Sequence, residues 1–347
     1  MSFVKAIISI ICVLAILALA AGIGGYVWLK NEIAKPGPSV TEQLFVVKSG
    51  EALGQIAIRL EDEGLIYDDR IMRLAARLAD DNRSVKAGEY ALEPGLSVSQ
   101  TLALLVEGKA IQYKITIPEG RTVAQALRII EANDLLTGDL PDPMPEEGTL
   151  LPDTYFFGRG MSRTDLIAQM AAAQQDLLDE LWDNRQADLP INSPYEAVIL
   201  ASIVEKETGR IDEQTEVAGL FVGRLKRGMR LQSDPTIIYA VSRGEPLRNE
   251  RTGRRRGIRR SEIDAVNDWN TYQIDGLPKT PICNPGRRAI AAVLDPPSTE
   301  YVFFVADGKG GHLFAKTNAE HERNVALYRQ YEREELARER AAEQANP

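Results

Sequence analysis

Residues 193–209, SPYEAVILASIVEKETG, decide how the second half of this chain folds. Serine is favoured at the N-cap of a helix and proline at its first position, so we predict a helix that begins at Ser193-Pro194. The apolar residues continue through the stretch without an internal Gly or Pro. Gly209 is typical of a helix end, so we predict that the helix stops there.

Two glutamates near the end of this helix point in different directions. At ~100° per residue, one apolar stripe is formed by Ile199, Leu200, Ile203 and Val204. Glu207 falls near the middle of that stripe, and Glu205 points to nearly the opposite side. A carboxyl that faces an apolar surface loses hydration, which raises its pKa and keeps it protonated, as a general acid requires. A helix-end glutamate can equally reach past the stripe into solvent or pair with an arginine, so the wheel leaves both interpretations open.

Composition excludes several classes of protein. The 347 residues suggest about two domains, and the net charge of −9 argues against a chain whose overall field collects nucleic acid. The two cysteines, Cys12 and Cys283, exclude a disulfide framework and a cysteine-built zinc site. The two histidines exclude a histidine-rich metal centre. We therefore expect no metal and no cofactor.

The N-terminal residues predict a membrane anchor. Residues 6–29 carry no charge, and a helix of that length spans ~36 Å, enough to cross the lipid bilayer. Tyr26 and Trp28 lie at its end, where interfacial aromatics are expected. A cleaved signal peptide is the alternative, but the apolar run is longer than the usual signal core. The short segment 1–5 predicts a cytoplasmic N-terminus and export of everything after the span.

The rest of the chain predicts an α+β fold. Residues 30–42 are polar and read as a linker. A short strand, a glycine turn and a helix then occur three times, with helices predicted at 53–60, 98–106 and 123–130. Further helices are predicted at 166–182, 216–226 and from Asn318 to about 344, and a strand at 301–305. The glycine-rich residues 307–311 lack the spacing of a phosphate-binding loop and predict a tight turn.

Five segments, in this order along the chain, resemble one family. They are LLPDTYFF (150–157), ASIVEKET (201–208), RLKRGMRLQSDPTIIYA (224–240), DWNTYQIDGLPKTPICNPG (268–286) and YVFFVADGKGGHLFAKTNAEH (301–321). Together with the uncharged N-terminal run, they resemble the YceG family of endolytic murein transglycosylases. Residues 45–60 also resemble the opening of a LysM module, a glycan-binding fold.

The resemblance implies an enzyme of the inner (plasma) membrane that cuts peptidoglycan strands. It implies cleavage between N-acetylmuramic acid and N-acetylglucosamine without water, which leaves a 1,6-anhydromuramyl end and terminates nascent strands. One acid/base residue can serve both steps. The catalytic glutamate of the family falls in the EKE stretch, and we assign it to Glu207, with Glu205 in reserve. Glycan strands, the bilayer around residues 6–29 and peptidoglycan synthases are the expected partners, and nucleic acid is not.

The other segments supply candidate substrate-binding residues, each with a structural alternative. Gln232, Ser233 and Asp234 precede a proline, and they can bind sugar hydroxyls or cap a helix. A second group, Asn270, Thr271 and Tyr272, can contact the glycan or form a turn, and Asn284 can face the groove from its own turn. His312 follows the glycine-rich turn and is expected near the cleft.

The domain boundaries follow from these segments. We predict a cytoplasmic N-terminus (1–5), a transmembrane anchor (6–29), a linker (30–42), a small LysM-like α/β module (43–110) and a mixed α+β catalytic domain (111–347). The catalytic glutamate is expected on a helix of the last domain.

The sequence leaves open two other functions and the role of one basic stretch. A hydrolytic muramidase would use Glu207 as the acid, with Asp234 assisting water or the oxocarbenium ion. A non-catalytic scaffold of the elongation machinery would use residues 43–110 and the groove for binding alone. Residues 248–260 hold seven arginines and form either a solvated loop or a contact with peptidoglycan carboxylates or lipid phosphates.

Overall fold

The structure is a computed structural model that describes residues 2–78 and 85–345. It is a mixed α+β protein, as predicted. The helices are α1 (Ser2–Ala34), α2 (Leu53–Asp62), α3 (Asp69–Leu78), α4 (Val98–Glu107), α5 (Val123–Glu131), α6 (Arg163–Asp183), α7 (Pro194–Glu207), α8 (Gln214–Lys226), α9 (Asp234–Ser242), α10 (Arg260–Asp264), α11 (Arg287–Leu294) and α12 (Asn318–Ala345). The strands are β1 (Gln43–Val47), β2 (Gly88–Leu92), β3 (Tyr113–Thr116), β4 (Thr154–Phe157), β5 (Phe303–Ala306) and β6 (His312–Ala315).

Helix α1 contains the predicted span 6–29. Within the part of the chain that the structure describes, it is the one helix long and apolar enough to cross a membrane, over Ile7–Ala34. Its apolar side chains are exposed along most of that length, for example Leu14 and Ile16. An unburied apolar helix of this length is consistent with a single-pass anchor.

The described residues divide into two compact units, one within Met1–Lys114 and Phe156–Met161, the other within Ile115–Tyr155 and Ser162–Pro347. In the first unit β1 and β2 pair antiparallel, with Phe45 opposite Tyr90, and both side chains are fully buried. Helices α2 and α4 confirm two of the predicted strand–turn–helix units. Helix α3 was not predicted, because it follows α2 directly and is not part of a strand–turn–helix unit.

Helix α7 lies at the centre of the second unit. Ser193 Oγ accepts a hydrogen bond from the Glu196 amide at 3.2 Å, and Pro194 is the first helical residue, as predicted. Helices α8, α9 and α11 pack around it. All residues from Ala197 to Val204 are buried, so the helix has no single apolar stripe. The elements around its C-terminal end, and not the stripe, therefore set the direction of Glu207.

Strands β5 and β6 form an antiparallel hairpin. The Asp307 amide donates to Gly311 O at 2.8 Å, and Asp307 Oδ1 accepts from the amides of Lys309 and Gly311 at 2.6 and 2.9 Å. Gly308 and Gly310 have φ of 78° and 87°, a left-handed conformation that favours glycine. The tight turn predicted for residues 307–311 is confirmed.

Candidate active site

A cleft of about 580 Å³ opens in the second unit at the C-terminal end of α7. Five of the predicted site residues line it, namely Glu207, Gln232, Asp234, Tyr272 and His312. The rest of its wall consists of Arg224, strand β5 (Phe303–Ala306), Asn318 and His321. Residues that are far apart in sequence thus meet in one polar cavity with an aromatic edge.

Glu207 is the buried acid of this cleft. Burial raises the pKa of its carboxyl to about 7. A hydrogen bond from Ser233 Oγ at 3.0 Å acts in the opposite direction and lowers that pKa. The charge of Asp234 adds to the rise, and that of Arg224 opposes it. A carboxylic acid that keeps its proton near neutral pH can donate it to a leaving group.

Ser233 is held in place by the neighbouring segment. Its amide donates to Thr271 Oγ1 at 2.9 Å, and Thr271 Oγ1 also lies 2.9 Å from Thr236 Oγ1. Ser233, Thr236 and Thr271 are fully buried. Gln232, one residue earlier, has a φ of 49°, an unusual backbone conformation for a residue with a side chain. The chain is therefore bent so that the Ser233 hydroxyl reaches Glu207.

Asp234 and Tyr272 form a second polar pair in the cleft wall. Tyr272 Oη donates to Asp234 Oδ1 at 2.7 Å. Burial raises the pKa of Tyr272, and the charge of Asp234 and their hydrogen bond raise it further. Tyr272 therefore stays protonated as a donor, and Asp234 keeps a second carboxylate oxygen for a ligand.

Sequence analysis gave no role to two cationic or titratable residues of the cleft, Arg224 and His321. Arg224 donates to Val302 O at 2.7 Å and to Leu231 O at 2.5 Å, and burial lowers its pKa. His321 stacks on Phe303 with ring centroids 5.2 Å apart, and its buried Nδ1 has no hydrogen-bond partner among the described residues. Both lie in segments quoted for the family resemblance, and that was the signal available for them.

Asn270, Thr271 and Asn284 do not line the cleft. Asn270 Nδ2 lies within hydrogen-bond distance of three backbone carbonyls, those of Glu262, Ile263 and Ala265, at 3.2, 3.0 and 2.6 Å. Its Oδ1 accepts from the Tyr272 amide at 3.1 Å. The structure thus uses the Asn270 side chain to shape the turn that carries Tyr272.

Asn284 likewise joins backbone segments. Its Oδ1 accepts from the Leu150 amide at 3.2 Å, and its Nδ2 donates to Arg121 O at 3.0 Å. Because both polar ends of this buried side chain are bonded to the protein, its contacts are structural.

Glu205, the reserve acid, lies outside the cleft. Its Oε2 accepts a hydrogen bond from the Gly286 amide at 3.1 Å. Burial raises its pKa, the Gly286 bond lowers it, and the nearby Glu119 charge raises it. Both glutamates therefore have raised pKa values, and position in the cleft distinguishes them.

The arginine-rich stretch 248–260 also lies outside the cleft. Arg248 and Arg255 form an isolated antiparallel bridge, which folds the stretch back on itself. Arg256 makes two hydrogen bonds to Glu262, at 2.6 and 2.8 Å. The choice between a solvated loop and an anion contact stays open.

The sequence model of the YceG-like family matches residues 45–327. The chain belongs to this family. An endolytic murein transglycosylase of Bacillus subtilis (strain 168) is 24% identical over 312 residues, which cover 81% of this YceG-like chain and 83% of the relative.

A protein of the same name from Streptococcus pneumoniae (serotype 2) is 27% identical over 94% of the chain, which spans 65% of that longer relative. A YceG-like protein of Listeria monocytogenes of known crystal structure is 26% identical and covers 81% of the chain and 98% of the crystallised protein, with a TM-score of 0.46.

Proposed function

We propose that this protein is an endolytic lytic transglycosylase. It cleaves the bond between N-acetylmuramic acid and N-acetylglucosamine in peptidoglycan and leaves a 1,6-anhydromuramyl end. One observation carries the proposal: Glu207, with a pKa of about 7, is buried in a polar cleft and bonded to Ser233. Membership of the YceG-like family and relatives named endolytic murein transglycosylase support the same reaction.

In this reaction Glu207 acts first as an acid. Its proton goes to the glycosidic oxygen as the bond to the muramyl anomeric carbon breaks. The muramyl C6 oxygen then bonds to that carbon, and its proton passes to the Glu207 carboxylate, which restores the acid. Ser233 can donate to Glu207 throughout the cycle and so supports the carboxylate form.

The other polar residues of the cleft suit a sugar ligand. Gln232 offers an amide, Asp234 a carboxylate oxygen and Tyr272 a ring, all in one cavity. Sugar hydroxyls and acetamido groups need such donors and acceptors, and aromatic rings give them a surface to pack on. We infer that these three residues orient the glycan strand over Glu207. Asn270 and Asn284 stabilise the backbone segments around the cleft.

A hydrolytic muramidase is the second candidate, because Asp234 lies in the same cleft as Glu207. A carboxylate there could assist an attacking water or stabilise the oxocarbenium ion. The two reactions give different ends, since hydrolysis leaves a reducing muramic acid and transglycosylation an anhydro sugar.

We further propose roles for the parts outside the cleft. Residues 43–110 are the glycan-binding module, and a hollow of about 500 Å³ beside β1 and α2 supports this, since it exposes the polar residues Lys48, Ser49, Glu51 and Gln55. Helix α1 anchors the chain with its N-terminus in the cytoplasm, and residues 111–347 form an exported catalytic domain. Peptidoglycan synthases are its candidate protein partners.

The experiment that tests the reaction is product analysis. The purified full chain in detergent is incubated with sacculi, and the new ends are identified by mass spectrometry. Anhydromuramyl ends support the transglycosylase, and reducing ends alone would support the muramidase. Strands that stay intact would indicate a protein that binds peptidoglycan without cleaving it.

A further inference from the structure

Glu213 holds His312 by two contacts. Its Oε2 lies 2.8 Å from His312 Nδ1, and its Oε1 accepts from the His312 backbone amide at 3.2 Å. Both side chains are largely buried, at 14% exposure each. Glu213 belongs to the 3-10 turn Ile211–Glu213 between α7 and α8, far from His312 in sequence. One carboxylate thus fixes the position of the histidine backbone and the rotation of its ring.

The Glu213 carboxylate is itself held in place. Thr208 Oγ1 donates to Oε2 at 3.4 Å, and Arg210 Nε lies 3.5 Å from Oε1. Gly311 leaves room for this arrangement, because a Cβ there would collide with Glu213 Oε1. Thr208 directly follows Glu207 in the chain, and Arg210 lies two residues further on. The end of the helix that carries the acid therefore also positions the His312 partner.

The second ring nitrogen of His312 is left for a ligand. A neutral imidazole that donates Nδ1–H to a carboxylate has an unprotonated Nε2, which is an acceptor. Nε2 makes no hydrogen bond to any residue in the described ranges 2–78 and 85–345, and His312 lines the cleft. The ring packs edge-on against Phe304, with centroids 5.2 Å apart. The contacts with Glu213 and Phe304 thus fix the ring in the cleft wall.

We propose that His312, oriented by Glu213, accepts a hydrogen bond from the muramyl C6 hydroxyl and so selects intramolecular attack over attack by water. The inference rests on the transglycosylase reaction proposed above. The bond from the anomeric carbon to the leaving oxygen breaks, and Glu207 supplies the proton to that oxygen. Once Glu207 has become a carboxylate, the C6 hydroxyl turns its proton from His312 Nε2 to Glu207. The C6 oxygen then bonds to the anomeric carbon, and the proton restores the acid. When the C6 hydroxyl is not held, water forms the new bond instead and leaves a reducing end.

The test is the ratio of anhydro to reducing ends released by variants of the full chain. In His312→Ala the ratio should fall about tenfold, the effect expected from one hydrogen bond to the attacking group. His312→Gln keeps an amide oxygen as an acceptor and should lose less. Glu213→Gln should move the ratio in the same direction as His312→Ala, because the ring loses its carboxylate partner.

Asp212→Asn is the matched control. Asp212 is the neighbouring acid, is exposed and bonds to Arg210, so its removal changes the same local charge without touching His312. Its ratio should equal that of the wild type. A structural role of His312 would lower the amount of folded enzyme but would leave the ratio unchanged, so the thermal unfolding temperature is measured for each variant.

Two results would contradict the inference in different ways. If the wild type forms anhydro ends and His312→Ala and Glu213→Gln keep its ratio, the proposed role of the His312–Glu213 pair is wrong and the transglycosylase reaction stands. If the wild type releases reducing ends alone, the proposed function fails and this inference with it.

Discussion

Ser233 Oγ donates a hydrogen bond to Glu207 Oε2 at 3.0 Å, inside the second unit. This bond joins the end of α7 to the residue just before α9, and it acts against the burial that raises the Glu207 pKa. The acid is therefore set by opposing neighbours, with Ser233 and Arg224 favouring the carboxylate and Asp234 disfavouring it. Each can be tested separately.

Glu207→Gln should lose at least about 100-fold in strand cleavage, because an amide cannot cycle a proton and general acid–base catalysis contributes about 10²–10⁴-fold. Glu205→Gln, on the same helix but outside the cleft, is the matched control and should retain most activity. Initial rates on isolated glycan strands measure both. An inactive Glu205→Gln beside an active Glu207→Gln would move the acid to position 205.

Ser233→Ala and Asp234→Asn should shift the alkaline limb of the pH–rate profile in opposite directions. An acid must be protonated to act, so activity should fall as pH rises through the Glu207 pKa, about 7 in the wild type. Loss of the Ser233 hydrogen bond should raise that midpoint, and loss of the Asp234 charge should lower it. Profiles of kcat/KM from pH 5 to 9 check this. Shifts of the same sign in both variants would show that these contacts do not control the acid.

Glu207→Gln should stabilise the protein in alkali more than in acid. The folded-state pKa of Glu207 is raised from 4.5 to about 7. Its favourable contribution is therefore complete below pH 4.5 and lost as pH rises through about 7, where the wild type must bury a charge. Above that pH the free energy of unfolding of the wild type falls by up to about 3 kcal/mol, and that of the glutamine variant does not. Thermal unfolding at pH 4.5 and pH 8 measures the difference, and Glu207→Gln with the same advantage at both pH values would contradict it.

Asn284→Ala should destabilise the fold without changing the chemistry. It leaves the buried Leu150 amide without its partner, at a cost of about 1–3 kcal/mol. The Arg121 carbonyl loses the bond from the Asn284 side chain but keeps the one from the backbone amide of residue 284. The unfolding temperature should fall, and kcat/KM of the folded fraction at low temperature should stay near the wild type. An increase in KM with unchanged kcat and normal stability would instead show that Asn284 binds the glycan.

The proposed orientation of α1, with its N-terminus in the cytoplasm, predicts which part of the chain an external protease can reach. If the N-terminus is cytoplasmic, protease added to spheroplasts should digest the part of the chain after Ala34. Alkaline carbonate should leave the protein in the membrane fraction, because an apolar helix of this length partitions into lipid. Protection of the C-terminal part, or its release by carbonate, would overturn this topology.

Local signals were sufficient for most elements of the fold. Ser193 and Pro194 marked the start of α7, and the capping boxes at Ser97 and Thr122 set the start of α4 and α5, because these contacts lie within one helical turn. The uncharged run in α1 and the glycine turn between β5 and β6 are local in the same sense. Helix α3 is an exception, since it lies between α2 and β2 and outside the repeated strand–turn–helix unit.

The structure gives a different reason for assigning the acid to Glu207. The wheel placed Glu207 in an apolar stripe, but α7 is buried on all sides over Ala197–Val204, so a single stripe cannot select one glutamate. Glu207 is distinguished because it lies one turn beyond the packed part of the helix, where the Ser233 segment and the β5–β6 hairpin leave a cavity.

The sequence by itself determined most of the elements, the long apolar helix α1, the family and the glutamate-bearing helix, because each depends on neighbours along the chain. Only the tertiary structure decided which polar residues face the cleft. It placed His312 on Glu213, brought Arg224 and His321 to the wall, and used Asn270 and Asn284 to bond backbone segments. A polar side chain looks the same in sequence whether it binds a ligand or a buried carbonyl, and the difference is set by the long-range packing that gives it its partner.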